Sequence, residues 1–408
     1  MFDKSSFLSK PIYLDYHATT PVDPRVADLM LHYMTTEFGN ASSTDHIYGD
    51  RAAKAVSKAR NQVAELVGAS AREVIFTSGA TESINLAIQG TILKQIEENN
   101  KPRIAFSPLE HKAVLDTCQA IAKKRLANLI FFQVDSFGRL DLEHLEQVCK
   151  QGLSLLCIMA ANNEIGNIYP IREISEIAQK YQIPFLCDAS QAVGKIPIDF
   201  EQWGITYLAI SGHKFYAPKG VGALIVRKGH YLEPIIFGGG HQKGLRSGTL
   251  NVPGIVGLGE ACRLRQLEME KDEQAIALLR DKLQHLLQEK IPNLVVNGDL
   301  TSRLAGNLHI SIPGIPNSAI IARVRNQLAI STGSACSSGV AAPSHVLRAM
   351  NLSDDLIEGS LRIGLGKFTT DKEIESSAEI LSHVVDLILQ AMLNGDPTAN
   401  RQETTLDV

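Results

Sequence analysis

The sequence lacks several features that would place it in a specialised class of protein. Its 408 residues include six cysteines but no C-x-x-C pair, so neither a zinc site nor a disulfide framework is indicated and no metal ligand is assigned. The 40 basic and 44 acidic residues leave a formal charge of -4, which provides no broad basic surface for binding nucleic acids directly.

Long apolar runs are also missing. Residues 1–10 lack the apolar stretch of a secretory signal and no later run approaches membrane-spanning length, so we expect a cytoplasmic protein without a membrane anchor. The apolar fraction of 44% and the charged fraction of 21% are typical of globular proteins. A chain of 408 residues exceeds the size at which one core stops growing, which predicts two domains, one large and one small.

Short apolar runs alternate with helical patterns between residues 70 and 230. Strands are predicted at 74–77, 104–106, 129–134, 155–160, 185–187, 208–210 and 223–226, and helices at 82–98, 110–125, 141–150 and 171–182. This alternation predicts an α/β fold in which a mostly parallel, seven-stranded sheet is covered by helices. Ligands of such sheets bind at the carboxyl ends of the strands.

The pattern changes towards the C-terminus. Residues 252–290 read as one long helix, and after Pro292 short strands at 294–296, 308–312 and 361–363 mix with helices at 318–327 and 371–392. The predicted organisation is an N-terminal segment (1–20) that packs with the small domain, a large domain (21–262), a connecting helix with a small α+β domain (263–393), and a flexible tail (394–408).

Two charged residues follow strands of the predicted sheet. Asp188 ends the apolar run 184–187, and Lys214 follows the segment 207–213. A lysine at this position can form a Schiff base with an aldehyde cofactor, and a neighbouring carboxylate can keep a pyridine nitrogen protonated. Pyridoxal phosphate (PLP) needs both groups. The pair alone would also fit a surface lysine and an unrelated strand-end aspartate.

Small and hydroxyl-bearing residues occupy 77–83, where a strand ends and a helix begins. The segment is neither a Walker loop nor a G-x-G-x-x-G fingerprint, but exposed backbone N–H groups at such a junction bind phosphate. Ser211 and His213, beside Lys214, extend this predicted phosphate site. The alternative is an ordinary helix cap formed by Thr81 or Ser78.

Amide and imidazole side chains follow the neighbouring strands. Asn162 and Asn163 come after the strand at 155–160, and Gln191 lies three residues after Asp188, so these amides can bind the phenolic oxygen of PLP or simply cap loops. His111 begins the helix after the strand at 104–106. Its imidazole can stack on the cofactor ring and move protons, or serve as a helix-terminal histidine.

Cys336 differs from the other five cysteines, which lie in apolar or helical patterns and are predicted to be core residues. It lies in Ser331-Thr-Gly-Ser-Ala-Cys-Ser-Ser-Gly339, a stretch too small and flexible to pack a core, so an exposed nucleophilic thiol is predicted, with a tight-turn cysteine as the alternative. Arg362 is the candidate clamp for a substrate carboxylate, and a salt bridge within the small domain is its alternative.

These segments resemble the cysteine desulfurases of the NifS/IscS type, which are PLP enzymes of the class V aminotransferase family and of fold type I. The resemblance runs from Tyr13 to about residue 370. Its most specific stretches are Phe76-Thr-Ser-Gly-Ala-Thr-Glu82, Glu110-His-Lys-Ala-Val-Leu115, Asn162-Asn-Glu-Ile-Gly166, Asp188-Ala-Ser-Gln191, Ser211-Gly-His-Lys214, Gly238-Gly-Gly-His241, Arg246-Ser-Gly-Thr249 and Gly333-Ser-Ala-Cys336.

The resemblance implies a role for each candidate residue. Lys214 forms the Schiff base with PLP and removes the α-proton, His111 stacks on the ring and serves as acid and base, and Cys336 receives sulfur as a persulfide. Binding of PLP is assigned to Ala80, Thr81, Asn163, Asp188, Gln191, Ser211, His213 and Thr249, and binding of the substrate to Asn163 and Arg362. Thr249 is expected to reach the cofactor of a neighbouring subunit, which implies a homodimer with shared sites.

The implied reaction converts L-cysteine to L-alanine and passes sulfur from Cys336 to acceptor proteins. Iron–sulfur cluster assembly, tRNA thiolation and DNA phosphorothioation are alternative destinations, because residues 336–343 and the tail differ from well-known iron–sulfur members of the family. A selenocysteine lyase or a class V transaminase on the same fold is the alternative enzyme. A sulfur-relay scaffold without catalysis is the alternative outside enzymes.

Overall fold

The computed structural model describes residues 10–97, 101–332 and 343–394. Its strands are β1 (Ile12–Tyr13), β2 (Val74–Thr77), β3 (Arg103–Phe106), β4 (Asn128–Phe131), β5 (Leu155–Met159), β6 (Phe185–Asp188), β7 (Tyr207–Ser211), β8 (Gly222–Val226), β9 (Val295–Val296), β10 (Asn307–Ser311), β11 (Leu328–Ala329) and β12 (Ser360–Gly364). Its α-helices are α1 (Pro24–Thr35), α2 (Ile47–Val67), α3 (Ala80–Glu97), α4 (Lys112–Lys123), α5 (Leu142–Lys150), α6 (Ile171–Lys180), α7 (Phe200–Trp203), α8 (Val252–Lys290), α9 (Asn317–Val324), α10 (His345–Ala349), α11 (Asp354–Glu358) and α12 (Asp371–Leu393).

Seven strands form the large sheet in the order β2-β8-β7-β6-β5-β3-β4. Strand β8 is antiparallel to both of its neighbours, whereas the pairs from β7 to β4 are parallel. Every residue of β5, β6, β7 and β8 is buried, as expected for strands covered on both faces. The predicted α/β class and the mostly parallel seven-stranded sheet are therefore confirmed.

The strand directions bring several chain segments to one edge of this sheet. Because β2 and β7 are both antiparallel to β8, β2 runs in the same direction as β7, β6, β5 and β3. The carboxyl ends of these five strands meet at an edge that we call the carboxyl rim. It is formed by the residues that follow Thr77, Ser211, Asp188, Met159 and Phe106.

The chain divides into two compact units. The large unit comprises residues 19–163 and 167–270, and the small unit comprises residues 1–18, 164–166 and 271–408 as far as they are described. The division at 270–271 and the predicted boundary at 262–263 both lie within α8. Of the predicted tail, residues 395–408 lie outside the described residues.

The small unit contains the antiparallel sheet β12-β10-β9 and the parallel pair of β1 with β11. Helix α12 is long and apolar enough to span a membrane by length and composition, with a mean hydropathy of 1.2, although the sequence analysis expected no such run. Its buried residues Ile374, Ala378, Leu381, Val385 and Ile388 recur at helical spacing and pack in the small unit's core. This stripe is typical of a core helix of a globular fold.

His309 is a fully buried titratable group in this sheet. Its Nδ1 lies 3.0 Å from Nδ2 of Asn297, which also donates to Oγ of Ser311 at 2.8 Å. Because an amide nitrogen only donates, Nδ1 of His309 accepts and the neutral ring carries its proton on Nε2. Burial and the charge of Arg362, its cross-strand partner, lower the pKa of His309 to about 3.

The lowered pKa of His309 predicts that the folded protein loses stability as the pH is lowered. His309 binds a proton near pH 6.5 in the unfolded chain but only near pH 3 in the folded protein. Between these two pH values, the free energy of unfolding therefore falls by about 1.4 kcal/mol for each unit by which the pH is lowered. We expect His309→Asn to be less stable than the wild type at pH 7 but to lose less stability on acidification. Denaturant titration of both proteins at several pH values measures this, and equal slopes would refute it. His383→Gln, at an exposed histidine of the same unit, should keep the wild-type slope.

Candidate active site

Lys214 ends a tight turn at the carboxyl rim. The turn Gly212–Lys214 follows β7, and the backbone N–H of Gly212 donates to the carbonyl of Val221 at 3.0 Å. A Cβ on Gly212 would lie 3.0 Å from that same oxygen, which leaves little room for a side chain. Thr20 donates to the carbonyl of His213 through its backbone N–H at 2.9 Å and its hydroxyl at 3.1 Å. Lys214 is half-buried, and the backbone of the two preceding residues is fixed by hydrogen bonds with Val221 and Thr20.

Asp188 lies on the neighbouring strand. It is the last residue of β6, pairs in register with Ala209 of β7, and is only 5% exposed. Its Oδ1 accepts hydrogen bonds from the backbone N–H of Ser190 at 3.0 Å and from the Ser190 hydroxyl at 2.5 Å. Donors of this kind stabilise a carboxylate, as a partner of a protonated pyridine nitrogen requires. Asp188 thus ends β6, and Lys214 lies in the turn that follows the adjacent parallel strand β7, so the predicted pair lies at the carboxyl rim.

His111 caps the helix that follows β3. Its Nδ1 accepts a hydrogen bond from the backbone N–H of Ala113 at 3.1 Å at the start of α4. The helix-terminal alternative is therefore observed. Because Nδ1 accepts, the neutral imidazole carries its proton on Nε2.

The predicted amide residues follow β5 and β6. Asn163 is half-buried, and the preceding Asn162 is buried and donates through Nδ2 to the carbonyl of Leu109 at 3.0 Å. Asn162 therefore fixes the segment before His111. Gln191 is 3% exposed and accepts a hydrogen bond from Nζ of Lys195 at 2.9 Å. Both predicted amides, Asn163 and Gln191, lie at the carboxyl rim.

The phosphate-binding segment lies between β2 and α3. Helix α3 begins at Ala80, so the N–H groups of Ala80 and Thr81 belong to its first turn, where no intrahelical acceptor is available. A Cβ on Gly222 would lie 2.7 Å from Cα of Gly79, so two backbones meet closely there. A Cβ on Gly79 would lie 3.8 Å from Oγ of Ser211. This arrangement of helix amides and a hydroxyl fits a phosphate group.

His213 lies beside this segment as a neutral ring. Its Nδ1 is 3.1 Å from Oγ1 of Thr19. Burial, together with the positive charges of Lys214, Lys219 and Lys195, lowers the pKa of His213 to about 4. Near neutral pH its contribution to phosphate binding would therefore be a hydrogen bond rather than a positive charge.

Sequence reasoning missed the contacts that hold the phosphate-binding segment. The carboxylate of Glu82 accepts a hydrogen bond from the backbone N–H of Ser78 at 2.9 Å and forms a salt bridge with Arg246 at 2.8 Å. Burial alone would raise the pKa of Glu82, but these partners outweigh it and the pKa is lowered. The presence of both residues in the resembling motifs was the only sequence signal, because 164 positions separate them.

Gln242 makes a second contact that the sequence did not reveal. Its Oε1 accepts from the backbone N–H of Phe76 at 2.7 Å, and its Nε2 donates to the Phe76 carbonyl at 2.6 Å. The side-chain amide thus pairs with β2, an edge strand of the sheet. Together with Arg246 it anchors the segment that leads to Thr249, which is itself exposed.

Arg362 belongs to the small unit. Arg362 is 1% exposed, exchanges two backbone hydrogen bonds with Ser331 at 2.7 and 3.2 Å, and forms a 2.9 Å salt bridge from Nη2 to Oδ1 of Asp15. The alternative predicted for Arg362, a salt bridge within the small domain, is therefore present. The backbone of Arg362 fixes Ser331, which precedes the segment that carries Cys336. Cys336 itself lies outside the described residues.

The other five cysteines are buried and free, which confirms them as core residues. Burial raises the pKa of the Cys149 thiol to about 12 and raises the thiol pKa values of Cys157, Cys187 and Cys262 well above the ordinary range. Thiols of this kind are poor nucleophiles because the reactive species is the thiolate.

Comparisons with known proteins agree with this geometry. The family profile of class V aminotransferases matches residues 12–376. The cysteine desulfurase IscS of Anaeromyxobacter dehalogenans (strain 2CP-C) is 44% identical over 377 residues, which cover 92% of each chain. Among solved structures, a NifS-like protein superposes with a TM-score of 0.86 at 35% identity and covers 93% of this chain and 100% of its own. SspA in complex with cysteine superposes with a TM-score of 0.76 at 34% identity, over 88% and 99% of the two chains.

The chain therefore belongs to the class V aminotransferase family, and within it to the NifS/IscS-type cysteine desulfurases. The resemblance, the enzyme class and PLP as the cofactor are confirmed. The residues at the carboxyl rim fit PLP by their chemistry, because they include an amine that could bind its aldehyde carbon, a carboxylate that could pair with its ring nitrogen and a helix N-terminus that could bind its phosphate. The role of each residue remains a prediction.

Proposed function

We propose that this chain removes sulfur from L-cysteine, releases L-alanine and retains the sulfur as a persulfide on Cys336. The observation that carries the proposal is the placement of Asp188 at the end of β6 and of Lys214 in the turn after the adjacent parallel strand β7, both at the carboxyl rim of the large unit. Cys336, in a segment of small residues, supplies the thiol that a transaminase would not need. The cysteine-bound SspA structure among the neighbours supports L-cysteine as the substrate.

Each residue has a definite task in this proposal. PLP, when bound, supplies an electron sink for the pair of electrons left by the α-proton. Lys214 would hold the cofactor covalently and would remove the α-proton of the substrate, and the Asp188 carboxylate would keep the ring nitrogen protonated. His111, whose Nδ1 accepts from the N–H of Ala113, would exchange a proton with the substrate as acid and base.

Sulfur transfer then balances without an added oxidant or reductant. The Cys336 thiolate attacks the substrate sulfur, so an S–S bond forms as the substrate's C–S bond breaks. The electrons of the C–S bond stay with carbon, and protonation of that carbon yields alanine. One cysteine and one enzyme thiol therefore become one alanine and one persulfide.

The direct experiment is incubation with L-cysteine, followed by assay of alanine and mass analysis of the Cys336 peptide. Equal amounts of alanine and of an added sulfur atom on that peptide are expected in the first turnover. Formation of a 2-oxo acid instead would favour a transaminase. Turnover restricted to selenocysteine would favour a selenocysteine lyase, and absence of any product would favour a non-catalytic relay protein.

We further propose that Arg362 binds the carboxylate of L-cysteine. Its guanidinium already pairs with one carboxylate, that of Asp15, and planar two-pronged binding is what a substrate carboxylate requires. We expect Arg362→Lys to raise KM for L-cysteine about 10- to 100-fold, because a charge-assisted hydrogen bond contributes about 1.5–3 kcal/mol. Steady-state kinetics measure this change.

A substrate analogue provides the control for this prediction. Cysteamine lacks the carboxylate, so its KM should be nearly the same in the wild type and in Arg362→Lys. Arg348→Lys, at an exposed arginine of the same unit, should leave both KM values unchanged. An equal rise in KM for cysteine and cysteamine would show that Arg362 does not recognise the carboxylate.

We propose a homodimer in which Thr249 completes the phosphate site of the partner subunit. Thr249 is exposed, and the segment before it carries large exposed apolar side chains, with Tyr231 72% and Phe237 80% exposed. Such side chains are suited to burial against a second copy. The molar mass in solution, measured by light scattering, tests the dimer, and a monomer would contradict it.

The sulfur acceptor is proposed to be a protein thiol in the cytoplasm. The formal charge of -4 supports delivery through a partner protein rather than direct binding of nucleic acid. Scaffolds for iron–sulfur clusters and proteins of tRNA thiolation or DNA phosphorothioation are the candidate partners. Affinity capture with the persulfide-loaded enzyme distinguishes them, and capture of a cluster scaffold without a DNA-modification protein would count against the phosphorothioation pathway.

A further inference from the structure

Glu110 is a fully buried carboxyl group, 0% exposed, in the turn between β3 and α4 and directly before His111. The turn is closed by two hydrogen bonds, from the Glu110 N–H to the carbonyl of Ser107 at 3.2 Å and from the Leu109 N–H to Oγ of Ser107 at 3.1 Å. A carboxyl group is costly to bury, so its position at the carboxyl rim needs a physical reason.

The carboxyl group of Glu110 extends the sheet beyond the end of β3. The N–H groups of Leu156 and Ala160 donate towards β6, at 3.0 and 2.9 Å, so the intervening N–H of Met159 points to the opposite side of β5. That side is occupied by β3, whose last paired residue is Phe106 opposite Cys157. The Met159 N–H donates instead to Oε1 of Glu110 at 2.9 Å.

A second contact holds the same turn. Nδ2 of Asn162 donates to the carbonyl of Leu109 at 3.0 Å and lies 3.4 Å from the sulfur of Met159. Two side chains therefore attach residues 109–110 to the end of β5: Glu110 accepts from Met159, and Asn162 donates to Leu109. His111 follows immediately, so the position of its ring depends on this attachment.

The charge state of Glu110 is linked to Asp188. Met159, which donates to Glu110, pairs in register with Asp188 on β6. Burial and the negative charge of Asp188 raise the pKa of Glu110 well above its ordinary value, although the Met159 N–H opposes the change. The protonated form of Glu110 is thus favoured.

We propose that Glu110 is a positioning residue of the active site, which fixes His111 by attaching its turn to the end of β5 beside Asp188. The role rests on the proposed function because it acts through the acid–base task of His111. It requires an oxygen acceptor at residue 110 but no charge there. Glutamine satisfies both requirements, whereas alanine supplies no acceptor.

The first test compares the kinetics of Glu110→Gln and Glu110→Ala in the PLP-loaded enzyme. We expect Glu110→Gln to keep kcat within about threefold of the wild type. Glu110→Ala should lower kcat at least about tenfold with little change in KM, because a misplaced acid–base group loses part of its contribution of about 10²- to 10⁴-fold to the rate. Glu73→Ala is the matched control. Glu73 is a 6%-exposed carboxylate of the same unit that accepts from the N–H groups of Ser70 and Lys228, so its loss should lower stability without changing kcat.

The second test does not depend on activity. Folded Glu110 keeps a proton that the unfolded chain releases above about pH 4.5, so this group makes the wild type less stable as the pH rises. Glutamine cannot ionise. We define the unfolding ratio as the unfolding equilibrium constant of the wild type divided by that of Glu110→Gln. This ratio should rise up to tenfold per pH unit above about pH 4.5, until the pKa of folded Glu110 is reached. Denaturant titrations of the apo-proteins measure this ratio.

The outcomes separate this proposal from the proposed function. If Glu110→Gln is as impaired as Glu110→Ala, a charge at residue 110 is required and the proposal fails. It also fails if Glu110→Ala keeps the wild-type kcat, or if the unfolding ratio does not change with pH. A wild type that does not release alanine from L-cysteine refutes the proposed function, whereas the stability test of Glu110 still reports on its protonation.

Discussion

Replacement of Lys214 by alanine is expected to abolish desulfuration, with a loss in kcat on the order of 10³-fold or more, because the same amine serves as the covalent attachment of PLP and as the base for the α-proton. The expected loss exceeds that of any other rim residue. Residual binding of PLP is expected through Asp188 and the N-terminus of α3. The absorbance of the purified variant and its rate of alanine formation are the measurements.

A matched lysine variant controls for nonspecific effects. Lys228→Ala removes an exposed lysine that follows β8 in the same unit and should retain both the cofactor and full activity. Exogenous methylamine should restore part of the activity of Lys214→Ala, because a small amine can perform the proton transfer. Wild-type turnover in Lys214→Ala would mean that another group attacks the cofactor, and the assignment would be wrong.

Replacement of Cys336 by serine is expected to stop the formation of alanine with a loss also on the order of 10³-fold or more, as for removal of a catalytic nucleophile. Serine keeps the size of the side chain but offers no thiolate to the substrate sulfur. The variant should still bind PLP and still exchange the α-proton of L-cysteine with deuterium, because those steps depend on Lys214. Alanine assay, absorbance and mass analysis of recovered cysteine report the three properties.

The buried cysteines make this experiment specific. After L-cysteine is added to the wild type, the extra sulfur should be found on the Cys336 peptide and not on peptides of the buried thiols, whose raised pKa values keep them protonated. Cys149→Ala is the matched control and should keep full activity, since the Cys149 side chain is buried in α5. Persulfide on Cys149 or Cys187 in the Cys336→Ser protein would contradict the proposed route.

The strands of the large sheet could largely be predicted from the sequence, for a physical reason. Strands covered on both faces must be continuously apolar, so β5, β6 and β7 appear as uninterrupted runs and were located to within one or two residues. Helix α2 was not predicted, because its buried stripe consists largely of small residues such as Ala52, Ala55 and Ala59. Their spacing and Gly68, which ends the helix in a left-handed conformation at φ 64°, were the available signals.

The residues of the candidate site could be predicted only in part. Residues that follow strands are brought to the carboxyl rim by topology alone, so Lys214, Asp188, Asn163 and His111 could be grouped before the structure was known. The roles of Glu110 and Gln242 depend on backbone atoms 49 and 166 positions away, and no local pattern encodes such partners. The ion pair of Arg362 with Asp15 spans 347 positions and was foreseen only as an alternative.

The amide of Gln242 has a consequence for self-association. An edge strand presents unsatisfied donors and acceptors, to which the strand of another molecule can add. Gln242 occupies the donor and the acceptor of Phe76 in the middle of β2, so an incoming strand meets a blocked ladder at that residue. At Phe76, the β2 edge of the large sheet is therefore closed to strand addition by the same residue that anchors the segment leading to Thr249.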